Sequence, residues 1–239
     1  MLKKTGYSTV KGTTIPTDIM ERVIARRGTA HPFANFDPRR AALVVIDLQR
    51  AFMDPEVGHI VIPRARDIVP DVNRLAAAVR AARGGVFWLR QVLDERARSD
   101  WTVISELSSP EMRMNRFRSL DEGSAGTELW PGLEVRPEDE VISKTRFSAF
   151  LPGSSELPSR LRARGFDTVL ITGTVTNVCC DSSARDAMMT NFRVIMVSDG
   201  NAAATQAEHD AAIVAIYSTF GDVMDVDMLI SILEMRIAT

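Results

Sequence analysis

The stretch TVLITGTVTNVCCDSSARDA, residues 168–187, changes its residue pattern once, at its middle. Residues 168–172 form an apolar, β-branched run typical of a strand buried on both faces, whereas from Asp181 onward apolar residues recur at helical spacing. A turn of small residues between them brings Cys179 to the first turn of the helix. Because N–H groups there have no intrahelical partner and the helix dipole is positive, we expect the pKa of this thiol to be lowered. A thiol placed in this way is prepared to act as a nucleophile.

A buried, unreactive role for Cys179 and Cys180 is the alternative, since free cysteines usually behave as small apolar residues. Two other stretches favour a catalytic role for Cys179. The buried run AALVVID ends in the carboxylate of Asp47, and the shorter run EVISK ends in the amine of Lys144. Either group alone would ordinarily be a solvated strand end. In a parallel sheet the carboxyl ends of the strands share one edge, so we expect the acid, the ammonium and the thiol to meet there.

Three segments carry a resemblance to a known family: IDLQRAF, SKTRFSAF and GTVTNVCCDSSARDA, in that order. From about residue 41 to the C-terminus, the chain resembles the isochorismatase-like cysteine hydrolase superfamily, and it looks most like the ureidoacrylate and N-carbamoyl amidohydrolases. The resemblance implies Asp47 as the catalytic acid and base, Lys144 as its charge partner and Cys179 as the nucleophile. Cys180 stands where relatives usually have an aliphatic residue, so we interpret it as structural.

Strand-like and helix-like segments alternate along the chain. Apolar runs predict six strands, at residues 41–47, 86–89, 140–144, 168–172, 191–198 and 222–224. Helical patterns predict the main helices at residues 67–83, 159–165, from 181, at 206–219 and from 227. The crossovers are long enough to contain the helices, so this order predicts a three-layer α/β/α fold with a doubly wound, mostly parallel six-stranded sheet of the Rossmann-like kind.

The 239 residues are enough for one large α/β domain. We expect residues 1–40 to form an N-terminal arm, with a short helix after Pro16, and residues 41–239 to form the hydrolase domain. A flap over the active site is the alternative role for this segment. We interpret His31, which lies in it, as a solvated loop residue.

The formal net charge is −2, and no long run of one sign occurs. We therefore expect a small-molecule substrate and neither nucleic acid nor a membrane surface as a partner. The N-terminal residues are polar and lack the apolar core of a signal peptide, and no apolar run reaches membrane-spanning length. Two adjacent cysteines and a thiol chemistry favour a reducing, cytoplasmic location. We also expect a homo-oligomer, either a dimer or a tetramer.

Metal-containing relatives, the nicotinamidases, supply one acid and two histidines from the loop after the first strand. This chain offers Asp54 and His59 there, and its other histidines, His31 and His209, are distant in sequence. Because a zinc or iron site of this type generally needs three protein ligands, we expect no metal and no other cofactor. The nicotinamidase interpretation is disfavoured for the same reason.

Five residues are candidates for substrate contact, because they lie near the predicted strand ends or in the segment 94–139, an insertion of the kind that forms a pocket wall. These candidates are Phe52, Arg90, Gln91, Trp101 and Asn177. Arg90 suits a substrate carboxylate in forked geometry and equally suits an ion pair with Asp94 or Glu95.

In the mechanism that these groups favour, Asp47 takes the thiol proton and Lys144 stabilises both anions. The thiolate attacks a carbonyl carbon, and the backbone N–H groups of Thr176 and Cys179 receive the oxyanion. Relatives have a non-proline cis peptide bond in this turn, which the resemblance puts between Val175 and Thr176.

The expected activity is cysteine-dependent cleavage of the C–N bond of a small linear amide, or of a ureido or carbamoyl compound. It proceeds through a thioester and releases ammonia or carbamate. Two alternatives stay open. One is an isochorismatase-type enol-ether hydrolase, against which the retained cysteine argues, and the other is a catalytically silent relative that binds a small molecule or serves as an oligomeric module.

Overall fold

The computed structural model describes residues 7–237, with side chains described for residues 11–236. A short hairpin comes first, formed by β1 (Tyr7–Val10) and β2 (Thr13–Pro16). The main sheet consists of β3 (Ala41–Ile46), β4 (Gly85–Gln91), β5 (Glu140–Lys144), β6 (Thr168–Thr174), β7 (Arg193–Ala202) and β8 (Asp222–Met224). Its strands are all parallel and lie in the order β5-β4-β3-β6-β7-β8.

Strands β3 and β6 lie at the centre of the sheet and are buried along their whole length. Successive side chains of β3 point to opposite faces of the sheet. One apolar cluster takes Ala41, Leu43 and Val45, and the cluster on the other face takes Ala42, Val44 and Ile46. Burial on both faces explains why this strand is a continuous apolar run instead of an alternating one.

Helices cover both faces of the sheet. On one face, α3 (Val69–Ala81) packs against α10 (Val226–Ile237), and the short α2 (Arg50–Met53) joins the same apolar cluster. The buried residues of the other face come from α1 (Thr17–Arg27), α7 (Leu157–Ala163), α8 (Asp181–Met189) and α9 (Gln206–Ala215). The predicted three-layer α/β/α fold is thus confirmed.

The boundaries differ from the predicted ones where the chain turns toward the carboxyl edge of the sheet. Strand β6 extends to Thr174 instead of ending at residue 172, and helical structure begins as a wide π-helical turn, Thr176–Cys180, that leads into α8. Strand β7 runs to Ala202, beyond the predicted end at residue 198, and pairs there with Thr174. Pairing with a neighbouring strand decides these ends, and residue periodicity within one segment does not contain that information.

The N-terminal segment packs on the chain's own main sheet and on α9. The hydroxyl of Ser198 donates to the carbonyl of Lys11 at 2.7 Å, and the hydroxyl of Thr13 donates to Asp210 at 2.7 Å. The division of the chain into residues 1–40 and 41–239 stays a prediction.

His31 lies in a loop, as predicted, but its side chain is only 28% exposed and has a buried partner. Its Nδ1 atom lies 3.0 Å from Oδ1 of Asp222, whose side chain is fully buried at the start of β8. A buried carboxylate needs partners, and His31 and the backbone N–H of Phe33 supply two of them.

Between β4 and β5 the chain forms the predicted insertion of short helices. These are α4 (Glu95–Asp100), α5 (Val103–Glu106) and α6 (Pro110–Leu120). Within residues 7–237, no helix is both long enough and apolar enough to cross a membrane.

Candidate active site

Three strand ends at the carboxyl edge of the sheet bring the predicted acid, ammonium and thiol together. Asp47 directly follows β3, Lys144 is the last residue of β5, and Cys179 lies in the turn after β6. Lys144 starts from a strand that is separated from β3 by β4, and its long side chain spans this distance. Its Nζ atom lies 2.8 Å from Oδ2 of Asp47, and both side chains are 0% exposed.

Burial and mutual attraction act in opposite directions on the two groups of this ion pair. Burial raises the pKa of the Asp47 carboxyl, and the Lys144 ammonium opposes this rise. Burial lowers the pKa of Lys144, but Asp47 and Cys179 outweigh it, so the pKa of the amine is raised. The carbonyl of Arg146 accepts a second hydrogen bond from Nζ at 3.1 Å. The 2.8 Å contact therefore pairs two groups of opposite charge away from water, where each supports the ionised form of the other.

Asp47 has a backbone conformation that most residues avoid, with φ at 54°. Aspartate tolerates this left-handed region better than most residues because its short side chain can bond locally. Its backbone N–H donates to the carbonyl of Leu89 at 3.0 Å, which ties it to β4. The turn at Asp47 thus points the carboxylate across the end of β4 toward Lys144.

The sulfur of Cys179 lies beside this pair. Both the carboxylate and the ammonium are close enough to interact with the thiol, and Sγ lies 3.9 Å from Oε1 of Gln91, at the end of β4. The residue is 2% exposed, whereas Cys180 is 0% exposed. Both cysteines are free thiols.

The expected lowered pKa of Cys179 is wrong. Burial raises the pKa of this thiol well above its usual range, Lys144 lowers it, and Asp47 raises it. A helix N-terminus stabilises a nearby anion by only about 0.3–1 kcal/mol, which is too little to offset desolvation at this depth. The resting site therefore holds a protonated thiol next to a carboxylate and an ammonium.

The turn that carries Cys179 is held close to β3. Gly173 has a φ of +123°, and a Cβ atom there would lie 2.0 Å from the carbonyl oxygen of Ile46. Ile46, the residue before Asp47, and Gly173, near the end of β6, are thus in direct backbone contact, and only glycine fits at this position.

A non-proline cis peptide bond is present in this turn, as the resemblance implies, but its predicted position is wrong. It joins Thr174 and Val175, one residue before the expected bond between Val175 and Thr176. The N–H groups of Thr176 and Asn177, the first in the π-helical turn, have no acceptor within it.

The five candidates for substrate contact occupy different places. Gln91 contacts the Cys179 sulfur, and Asn177 lies in the cysteine turn, where its buried Oδ1 has no hydrogen-bond partner among residues 11–236. Phe52 is buried and meets the ring of His59 edge to face at 5.2 Å. Trp101 meets the ring of Phe147 at 4.8 Å. Their contact with a substrate stays a prediction.

Arg90 makes neither of the ion pairs considered for it. Its Nε donates to the hydroxyl of Ser143 at 3.1 Å, and among the residues with described side chains Asp94 and Glu95 do not pair with it. Asp94 instead accepts from the N–H of Ala97 and begins α4. Successive strand residues point to opposite faces, so Arg90 points away from the face on which Gln91 meets the sulfur.

A residue that the sequence analysis missed connects these elements. Gln49 is fully buried, its Nε2 donates to the carbonyls of Gln91 and Gly126, and its Oε1 accepts from the N–H of Gln91 at 2.6 Å. It thereby fixes the end of β4 relative to the turn after β3 and to the insertion. Its place two residues after Asp47 was the available signal, but sequence spacing does not reveal contacts with residues that far along the chain.

The residues considered for a metal site lie apart. Asp54 pairs with Arg50 at 2.8 Å, whereas the half-buried His59 packs on Phe52, and burial lowers the pKa of this imidazole to about 4. Within the described part of the chain, no group of three or more histidine, cysteine or acidic side chains converges.

A parallel α/β/α fold with an acid, a lysine and a cysteine at one sheet edge is that of a cysteine hydrolase. A family model described as the Isochorismatase domain matches residues 41–228, and the chain belongs to this family.

Solved structures of similar proteins agree with this assignment. A cysteine hydrolase from Pseudomonas syringae pv. phaseolicola is 29% identical, with a TM-score of 0.75 over 84% of this chain and 95% of that one. An isochorismatase-like hydrolase from Alkaliphilus metalliredigens is 26% identical, with a TM-score of 0.65 over 80% and 98% of the two chains. The N-carbamoylsarcosine amidase of Thermoplasma acidophilum is 25% identical, with a TM-score of 0.62 over 79% and 97%.

Proposed function

We propose that this hydrolase cleaves the C–N bond of a small linear amide, or of a ureido or carbamoyl compound, through a thioester on Cys179. One observation carries the proposal: the Asp47–Lys144 ion pair, with a 2.8 Å contact and no exposure to solvent, lies against a cysteine thiol. A structural role does not explain this arrangement, because replacing a buried ion pair by apolar residues is often neutral or stabilising.

In the first half of the reaction, the Cys179 sulfur attacks the carbonyl carbon and its proton passes to Asp47. The raised pKa of the carboxyl makes Asp47 a stronger base toward the thiol proton, and the Lys144 ammonium offsets part of the cost of forming the buried thiolate. Lys144 keeps the net charge of the site balanced while negative charge moves from the carboxylate to the sulfur. The N–H groups of Thr176 and Cys179 receive the oxyanion.

In the second half, Asp47 returns the proton to the leaving nitrogen, the C–N bond breaks, and a thioester remains on Cys179. The carboxylate then takes a proton from a water molecule, whose oxygen attacks the thioester carbon. The C–S bond breaks and the sulfur regains a proton. Ammonia or an amine leaves when the C–N bond breaks, the carboxylic acid (a carbamic acid from a ureido compound) leaves when the C–S bond breaks, and this sequence of steps uses only groups of the chain and water.

The substrate class is proposed on two grounds. A structural relative is an N-carbamoylsarcosine amidase, which acts on a carbamoyl compound by its name. The thiol next to the ion pair supplies a nucleophile, which cleavage of an amide uses and acid-catalysed cleavage of an enol ether does not need. The amide is therefore favoured over the enol ether.

Because Cys179 is 2% exposed, a substrate reaches its sulfur only when neighbouring side chains move. The insertion meets the loop after Lys144 in a stack in which Arg146 lies over the ring of Trp101 at 5.3 Å and Trp101 contacts Phe147. Among residues 7–237 no strand pairing joins these two loops, so the stack can open without breaking the sheet.

We also propose a cytoplasmic location, because a reducing compartment keeps both free thiols available. A homo-oligomer is supported by exposed apolar side chains on the insertion helices, namely Val103, Leu107 and Met114.

The test is an ammonia-release screen over small amides, ureas and carbamates, followed by paired cysteine variants. Cys179→Ala should reduce turnover by a factor of roughly 10⁴ or more, because the covalent intermediate is lost. Cys180→Ala should keep most of the activity, because this neighbour lies deeper in the apolar cluster. Full activity of Cys179→Ala contradicts the proposal, and a wild type that is inactive across the screen while binding a small molecule supports the silent relative.

A further inference from the structure

His209 is a buried polar residue that none of the proposed steps uses. It lies in the first turn of α9 and is 3% exposed. Its Nδ1 atom lies 3.0 Å from Oγ1 of Thr176, which is 0% exposed and opens the π-helical turn carrying Cys179. A helix on one face of the sheet thus reaches the cysteine turn through a single side-chain hydrogen bond.

The imidazole is neutral in this environment. Burial lowers the pKa of His209 to about 4; Asp210 and the carbonyl of Ser198 oppose this fall, and Arg64 adds to it. A neutral ring has one nitrogen that donates and one that accepts, so it can bond the Thr176 hydroxyl in either sense. Such a bond restrains the hydroxyl without placing a charge beside the site.

The segment between Thr174 and Thr176 is held at both ends. The hydroxyl of Thr174 donates to the carbonyl of Ala202 on β7 at 3.1 Å, and Thr176 is held by His209. The helix that carries His209 is itself fixed at its start, where Thr205 and Glu208 form a capping box. The direction of the Thr176 N–H therefore depends on the anchor that His209 provides.

We propose that His209 is a positioning residue for the oxyanion site, which it orients through the Thr176 hydroxyl. The inference rests on the proposed function, in which the Thr176 N–H receives the oxyanion. Donors at such sites act at 2.7–3.1 Å, and removing one costs roughly 10²–10³-fold in rate. Misdirecting a donor that stays in place costs less, so we expect about a 10- to 100-fold loss.

The test compares two reactions of Cys179 in a Cys180→Ala background. Iodoacetamide alkylates the sulfur by displacing iodide at a tetrahedral carbon, so no oxyanion forms. With p-nitrophenyl acetate, the sulfur attacks the carbonyl carbon, an oxyanion forms, and the C–O bond breaks to release p-nitrophenolate while the thiol proton passes to Asp47. The ratio of the acylation rate to the alkylation rate therefore measures the contribution of the oxyanion site separately from the reactivity of the thiol.

We expect His209→Leu to lower the acylation rate about 10- to 100-fold while the alkylation rate changes less than about 2-fold. His209→Asn should recover most of the acylation rate, because its amide can bond the Thr176 hydroxyl. Thr176→Val should match His209→Leu, and the double variant should lose no more than either single one. Thr205→Ala, which removes the α9 cap and spares the Thr176 bond, is the control for loosening of the helix.

The two rates distinguish a positioning role of His209 from a general effect on stability. An equal fall in both rates, or a fall of the same size in Thr205→Ala, shows that His209 acts only on stability and overturns the inference. An unchanged acylation rate in His209→Leu overturns it as well, as does a wild-type Cys179 that is alkylated but never acylated. A Cys179 that reacts with neither reagent overturns the proposed function, and the inference falls with it.

Discussion

Replacing Asp47 with asparagine should make Cys179 more acidic while it abolishes turnover. The carboxylate raises the pKa of the buried thiol, and the Lys144 ammonium lowers it. In Asp47→Asn the ammonium has lost its partner at 2.8 Å, and the thiolate takes the place of the missing negative charge. Turnover should nevertheless fall, because no base remains to carry the proton to the leaving nitrogen.

The size of the effect follows from the charges involved. Two like charges about 4 Å apart at an effective dielectric of about 20 repel each other by roughly 4 kcal/mol. At about 1.4 kcal/mol per pKa unit, removing the carboxylate should move the ionisation midpoint of the thiol downward by about 3 pH units. Lys144→Met removes the attractive charge instead, so it should move the midpoint upward.

The assay follows alkylation of Cys179 by iodoacetamide over a wide pH range, with intact-protein mass spectrometry and a Cys180→Ala background. Asp54→Asn is the matched control, because this carboxylate pairs with Arg50 at 2.8 Å in the loop after β3 and makes no contact with the sulfur. An unchanged or raised midpoint in Asp47→Asn, or a shift of equal size in Asp54→Asn, would refute the reasoning.

Three further predictions concern the framework and the chemistry. Gly173→Ala should lower the free energy of unfolding by about 2–4 kcal/mol, because overpacking and backbone strain act together. Gly153→Ala is the control, since Gly153 also has a positive φ but has open space around it, and it should cost about 1 kcal/mol. Equal losses for the two variants in urea unfolding would contradict the close backbone approach at Gly173. Burial raises the pKa of Asp139, but hydrogen bonds from Arg80, the Arg136 N–H and Trp88 leave it below its usual value. Asp139→Asn should therefore lower the free energy of unfolding by about 2–4 kcal/mol at neutral pH. That loss should shrink as the pH falls below about 4 and the wild-type carboxylate becomes protonated, and a loss independent of pH contradicts it. Turnover should survive prolonged incubation with EDTA, and an activity that EDTA removes and added metal restores contradicts the metal-free mechanism.

The positions of the main strands and helices could be predicted from the sequence because they depend on local patterns. The continuous apolar run before Asp47 indicates a strand buried on both faces, and β3 is such a strand. The same logic placed Asp47, Lys144 and Cys179 at one edge, since parallel strands end together. The prediction that the three groups meet depends only on strand direction, and the 2.8 Å contact between Asp47 and Lys144 agrees with it.

Where predictions were wrong, the sequence did not show how deeply a side chain is buried or which distant residues contact it. The acidity expected of Cys179 came from its place near a helix start, but its burial and its two charged neighbours have the larger effect on its pKa. One of the two roles considered for Arg90, an ion pair with Asp94 or Glu95, relied on residues close to it in the chain, whereas its side chain meets Ser143 on the adjacent strand.

The amino-acid sequence by itself determined the layer architecture, the family and the identity of the three groups at the sheet edge, because apolar periodicity and motif order are properties of consecutive residues. Only the tertiary structure decided the protonation of the thiol, the course of its turn and the residues that brace it. Desolvation depends on how deeply a group is packed, and the hydrogen bonds between Gln49 and Gln91 and between Thr176 and His209 join parts of the chain that only folding brings within reach.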